Sequence, residues 1–179
     1  GTSSGVIAAI EASRLGNEVI LIEPSSRIGG LTTGGLGQTD IGNKQVIGGI
    51  ALEFYQNIKK HYENPNNWIW QEKTEYKDGG QTRSSVTEDA MWTFEPSAAL
   101  SVLNKMINDN NIKVFYNERL ERKKGVKKNK NRIKHIIMES GIIFSGNVFI
   151  DATYEGDLLA SSGVSYTVGR ESNSIYGES

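Results

Sequence analysis

Residues 1–23 read GTSSGVIAAIEASRLGNEVILIE, and this stretch decides the fold. A Gly/Ser-rich turn, Gly1-Thr2-Ser3-Ser4-Gly5, opens a run in which Ala8, Ala9 and Ala12 favour a helix over residues 4–15, stopped by Gly16-Asn17. Residues 18–22 are a short run with β-branched members and no alternation, the pattern of a parallel strand covered on both faces. The run ends at Glu23. Turn, helix, strand and acid in this order are the parts of a dinucleotide site. The turn lets backbone approach a pyrophosphate, the helix N-terminus faces its charge, and an acid roughly twenty residues on accepts hydrogen bonds from a ribose. An acid there suits a ribose without a 2′-phosphate. In the G-x-G-x-x-G register Gly5 is the third glycine and Thr2 holds the place of the second. The first would precede residue 1, so the strand that enters the turn is expected to be missing. Taken singly, the turn reads as an ordinary helix start and Glu23 as a surface acid; the ordered set carries the inference.

Directly after Glu23 and Pro24 comes Arg27-Ile28-Gly29-Gly30-Leu31-Thr32-Thr33-Gly34, inside a Gly/Ser/Thr-rich span over 25–49 that reads as a functional loop. Glycines let backbone press against phosphates, and Thr32 and Thr33 carry hydroxyls to donate. Beyond it, residues 50–62 predict an amphipathic helix. Residues 63–92, polar and aromatic without a period, predict an inserted cap. Glu95-Pro96-Ser97 opens a helix to about Asp109, with Pro in its first turn. Strands are expected over 112–116, 119–127, 132–139 and 142–150, the last three as a β-meander turning at 128–131 and 140–141. A short helix is expected at 155–162, and no structure from about 172. The order predicts one domain, 1–179, of doubly wound α/β type with an inserted meander.

Residues 148–160 read VFIDATYEGDLLA, an apolar run ending in Asp151-Ala152-Thr153, with Gly156-Asp157-Leu158 three residues on. With Glu23 and the Gly29-Gly30 pair, this resembles the glutathione-reductase-like FAD superfamily, and more closely the bacterial FAD-dependent oxidoreductase family. The resemblance runs from Gly1 to about Arg170. It implies a Rossmann-like FAD-binding domain lacking its first strand and its C-terminal region, with FAD as cofactor. It implies cofactor contacts from Gly1, Thr2, Ser3, Ser4 and Gly5; from Glu23, Pro24 and Arg27; from Gly29, Gly30, Leu31, Thr32, Thr33 and Gly34; and from Asp151, Ala152, Thr153, Gly156 and Asp157. Asp157 is the first counterpart of the family's ribityl-binding acid and Asp151 the second. Leu120, after the strand at 112–116, is the implied adenine contact, with an ordinary core leucine as the alternative.

Other function classes find less support. Lys plus Arg number 20 against 21 Asp plus Glu, a balance that favours neither a nucleic-acid surface nor an acidic tail. The basic run from Arg122 to Lys134 contains no aromatic residue and reads as a solvated hairpin. Cysteine is absent, which excludes disulfides and thiolate metal sites. Asp151, Glu155 and Asp157 have no His or Cys near them, and no metal is expected. No run is long and apolar enough to span a bilayer, and the sequence assigns no compartment. Trp68, Trp70 and Trp92 suggest either packing of the inserted segment or a sugar-binding surface. His61 and His135 have no recognisable nucleophile partner. The residues from Gly34 to Asp40 are expected beside the flavin ring, which makes Gln38 and Asp40 the candidates to touch a small-molecule substrate. An NAD-binding dehydrogenase domain and a non-catalytic nucleotide-binding fragment stand as alternatives.

Overall fold

The computed structural model describes residues 1–38, 42–76 and 88–177. It divides into two compact units, Gly1–Arg119 and Leu120–Ser179.

The first unit begins with helix α1 (Ser3–Arg14), capped by Thr2, whose hydroxyl accepts from the Gly5 N–H at 3.2 Å. Its buried face is Gly5, Val6, Ala9 and Ile10, at the i, i+4 spacing of one helix stripe. Gly16, at φ +84°, turns the chain into strand β1 (Ile20–Ile22). β1 pairs in parallel with β2 (Lys113–Phe115), Leu21 opposite Val114. Between them lie α2 (Gly30–Gly34), α3 (Gly49–Glu63) and α4 (Pro96–Asp109). α3 buries Phe54, Ile58 and Tyr62 at four-residue spacing. α4 starts on Pro96 and buries Ala98, Ala99, Val102, Leu103, Met106 and Ile107. These faces, with Ile28 and Ile112, form one core. Arg14 ties α1 to α3 with a two-pronged pair onto Glu53, at 2.6 and 2.7 Å.

The second unit is an antiparallel meander of β3 (Val126–Asn129), β4 (Arg132–Ile137) and β5 (Ile143–Ser145), followed by the short helices α5 (Asp157–Ser161) and α6 (Asn173–Tyr176). Lys130, at φ +53°, makes the β3–β4 turn, and the ladder is irregular between Lys127 and Lys128. Gly125 enters β3 where a Cβ would come within 2.1 Å of the Glu121 carbonyl oxygen, so no side chain fits there.

The mixed helix and strand architecture with a small parallel sheet is the α/β class expected. Several details differ. The Gly-rich span holds a helix, α2, and a 3₁₀ turn at Lys44–Val46, because left-handed Gly29 and an Asn43 cap start what composition alone reads as loop. The strand expected over 119–127 starts only at Val126: Glu121 folds its carboxylate back onto the N–H groups of Lys123 and Lys124, forming a turn first. The strand expected to run from 142 to 150 stops at Ser145; no ladder partner follows it among the described residues, and Val148 stays 80% exposed. β1 is parallel as expected, but only Leu21 of its three residues is buried. Residues 173–176, expected without structure, form α6.

Candidate functional site

In the first unit the residues singled out at the start of the chain converge where β1 ends and α1 begins. The Glu23 carboxylate is 6% exposed. One of its oxygens accepts from the Ser25 N–H at 2.7 Å, and the other lies 3.4 Å from the Gly1 nitrogen. The residue's backbone is fixed by Glu23 N–H to the Phe115 carbonyl at 2.9 Å and by Glu118 N–H to the Glu23 carbonyl at 3.0 Å. Gly1 donates to the Ile22 carbonyl at 2.9 Å, and a Cβ on it would fall 2.3 Å from the Glu23 carboxylate. That contact explains why glycine stands there. The Tyr116 hydroxyl is pushed up from its ordinary pKa, by burial first and by the Glu23 charge second. The carboxylate is ion-paired with the Gly1 nitrogen and has no side-chain cation within ion-pair distance among the described residues.

The Gly29-Gly30 turn packs against the same place. Gly29 (φ +91°) donates to the Gly1 carbonyl at 2.7 Å, and its own carbonyl accepts from the Ser3 hydroxyl at 2.8 Å. Ser3 and Thr32 share a hydroxyl hydrogen bond of 2.7 Å. A Cβ on Gly29 would lie 2.4 Å from the Thr33 methyl and 2.8 Å from Leu103. Thr33, 1% exposed, spends its hydroxyl on the Ile28 carbonyl at 2.5 Å, so it braces the turn from inside. Ser4, Pro24, Arg27 and Leu31 are exposed around it. Arg27 has no ion-pair partner among the described residues and stands beside Gly34. The surface is thus a helix N-terminus, close-packed glycines and one unpaired guanidinium, a donor set for phosphates.

From Gly34 the chain is stapled to the segment leading into α4. Phe94 N–H donates to the Gly37 carbonyl at 2.8 Å, and Gln38 bridges Thr93. A Cβ at Gly37 would lie 2.0 Å from the Phe94 carbonyl oxygen. Asp40, the other candidate near substrate, lies outside the described residues.

In the second unit, Asp151, Thr153, Gly156 and Asp157 form one knot. Asp151 accepts from the Thr153 N–H (3.0 Å), the Thr153 hydroxyl (2.7 Å) and the Leu159 N–H (2.8 Å). The Thr153 oxygen accepts in turn from the N–H groups of Gly156 (2.9 Å) and Asp157 (3.3 Å). Burial would raise the Asp151 carboxyl, but these donors outweigh it and hold its pKa below the usual value. Its lone pairs are committed to the loop. Asp157 is looser, with Arg122 at 3.7 Å. Ala152 sits within the knot, and Leu120 bridges Met138 at the start of this unit.

The three tryptophans divide. Trp92 is 1% exposed and packs on Tyr55. Trp68 and Trp70 line a recess with Tyr62, Tyr76, Phe94 and Glu95, a grouping that sequence left unread because its members come from three separate segments. The signals were Trp68 and Trp70, read as packing or a sugar-binding surface, and Glu95 ahead of the helix-opening Pro96. Among the described residues no group of three His, Cys, Asp or Glu side chains is placed to hold a metal, and no helix is long and apolar enough to cross a membrane. No curated protein matches the chain. A family model described as FAD dependent oxidoreductase matches residues 1–179.

Proposed function

The chain belongs to the FAD dependent oxidoreductase family, with FAD as its cofactor and an FAD-linked redox role; from that premise we propose that it oxidises or reduces a small-molecule substrate on a flavin bound in Rossmann fashion. The observation that carries the assignment of the site is the buried Glu23 carboxylate packed against Gly1, where no side chain fits. The residues present suit the cofactor: a carboxylate for the ribose, a helix N-terminus with Arg27 for the pyrophosphate, and side-chain-free backbone at Gly29 and Gly30 for close approach.

When bound, the flavin supplies hydride acceptance or donation. The chain's own residues bind and orient. Glu23 accepts from ribose hydroxyls, and its negative charge disfavours a 2′-phosphate. The N–H groups of residues 2–4 and the Arg27 guanidinium would meet the pyrophosphate, with Gly5 keeping the first turn of α1 free of a side chain. Ser3, Thr32 and Thr33 hold the glycine turn in shape, with Pro24, Leu31 and Gly34 around the cofactor. Gly34–Gln38 are assigned beside the flavin ring, and Gln38 and Asp40 are the residues assigned to contact substrate. In the second unit, Ala152, Thr153, Gly156 and Asp157 present backbone and a carboxylate to the ribityl chain, Asp151 shapes that loop, and Leu120 is assigned to the adenine. Residues 63–92 are assigned as a cap inserted in the first unit.

Replacing Glu23 by Gln keeps the shape and removes the charge. It is expected to weaken FAD binding by about 1.5–3 kcal/mol, or roughly ten- to a hundred-fold, the worth of hydrogen bonds to a charged acceptor. Equilibrium dialysis of FAD read by flavin absorbance checks it. Wild-type affinity in both Glu23→Gln and Glu23→Ala would remove Glu23 from the site.

A further inference from the structure

The recess bordered by Tyr62, Trp68, Trp70, Tyr76, Phe94 and Glu95 encloses about 180 Å³. Three of its rings pack against one another. Trp68 sits tilted against Tyr62 with centroids 4.9 Å apart and meets Tyr76 edge-on at 5.6 Å, and its indole N–H donates to the Tyr62 carbonyl at 2.8 Å. The Tyr62 hydroxyl donates to one Glu95 carboxylate oxygen at 2.9 Å and accepts from the Glu95 N–H at 3.0 Å, so the acid is held in place. Glu95 is the single charged side chain among the described lining residues, and no cationic side chain pairs with it among the described residues. His61, next to Tyr62, has its pKa lowered by burial, with the Glu95 charge acting in the opposite sense. Trp70, at the rim, is 82% exposed.

A ring cluster whose one carboxylate pairs with no cationic side chain among the described residues selects among ligands. A neutral hydrocarbon would strip water from Glu95 and give nothing back. A polyol would need a partner for each hydroxyl, and besides Glu95 the described lining offers the Gln71 and Thr93 side chains and two tyrosine hydroxyls, one of them spent on Glu95, against five aromatic rings. A cation sheathed in alkyl groups satisfies both surfaces: its methyl and methylene groups sit on ring faces, which attract its charge, and the carboxylate neutralises it. We propose that this recess is a binding site for an organic cation, an alkylammonium group of the substrate. The site rests on the assignment of Gly34–Gln38 beside the flavin, since the recess wall is bonded to that loop through Gln38–Thr93 and Gly37–Phe94.

The test titrates the protein with choline, its neutral isostere 3,3-dimethyl-1-butanol, and methyl glucoside, reading heat by calorimetry and tryptophan emission. FAD content is measured on the same samples by absorbance. Choline is expected to bind, the neutral alcohol about tenfold more weakly or worse, and the glucoside not at all. Glu95→Gln, which keeps the acceptor for Tyr62, is expected to weaken choline about tenfold with FAD content unchanged, and the rim variant Trp70→Leu is expected to weaken it also. The proposal is overturned if the alcohol or the glucoside matches choline, if no probe binds, or if Glu95→Gln leaves choline affinity intact. Choline binding in a protein that does not retain FAD would count against the flavin assignment alone; retained FAD without choline binding would count against this inference alone.

Discussion

At the scale of single residues, two carboxylates with similar sequence surroundings do different work. Glu23 and Asp151 each end an apolar run and precede a loop. Glu23 takes one backbone donor, from Ser25, on one oxygen and has the Gly1 nitrogen 3.4 Å from the other. Asp151 spends both oxygens on Thr153 and Leu159. Sequence spacing located both acids and left this distinction unread, because it depends on where the following N–H groups fold. The same holds for Thr33: its place in the glycine turn was legible, whereas the inward aim of its hydroxyl depends on the Ile28 carbonyl. The Asp151 arrangement has a pH signature. Its folded-state pKa is depressed, so the stabilisation is present above the unfolded value of about 3.9 and is lost as pH falls through the lower folded value. Asp151→Asn is therefore expected to cost about 1 kcal/mol at pH 7, allowing for its partial exposure, and progressively less as the pH drops below 4. Urea unfolding followed by circular dichroism at pH 7 and pH 3 checks it; an equal cost at both would show that the charge contributes nothing.

At the scale of elements, legibility followed length and periodicity. The helices α1, α3 and α4 repeat apolar residues over three or more turns, and their ends carry Gly16, Pro96 and similar punctuation, so sequence placed them within one or two residues. The helices α2, α5 and α6 have five residues or fewer, too few for a period to appear, and two of them were missed. Strands failed differently. Composition proposes a strand, but pairing makes one, and residues 146–150 have the composition without a ladder. Of all the elements α4 bears most on the site, because Leu103 packs under the Gly29 turn, within 2.8 Å of where a Cβ there would stand. Leu103→Ala is expected to cost about 2–5 kcal/mol of stability. It should also weaken FAD binding although it removes no cofactor contact. A thermal melt together with FAD dialysis checks both, and a destabilised variant with unchanged FAD affinity would uncouple core from site.

At the scale of the whole molecule, the dinucleotide reading came from one order of parts, and the division into units after Arg119 had no counterpart in sequence: residues 112–127 read as strand, turn and strand without a break. The charge balance and absence of cysteine, legible from composition, are properties of the chain rather than of either unit. One feature of the fold also sets its timing. In the first unit, Ile20 finds Lys113 about ninety residues further on, so the parallel ladder must wait for a long loop to close. In the second, Asn129 meets Arg132 across a two-residue turn. A hairpin of that kind forms in about 1–10 μs, whereas distant parallel pairings are intrinsically slow. Pulsed hydrogen exchange during refolding is expected to protect the amides of β4 before that of Leu21, with simultaneous protection as the contrary result. The junction of β1, α1 and the Gly29 turn, proposed above as the nucleotide site, is then completed late in the folding of its unit, and free cofactor would meet a chain whose glycine turn and Glu23 have only just come together.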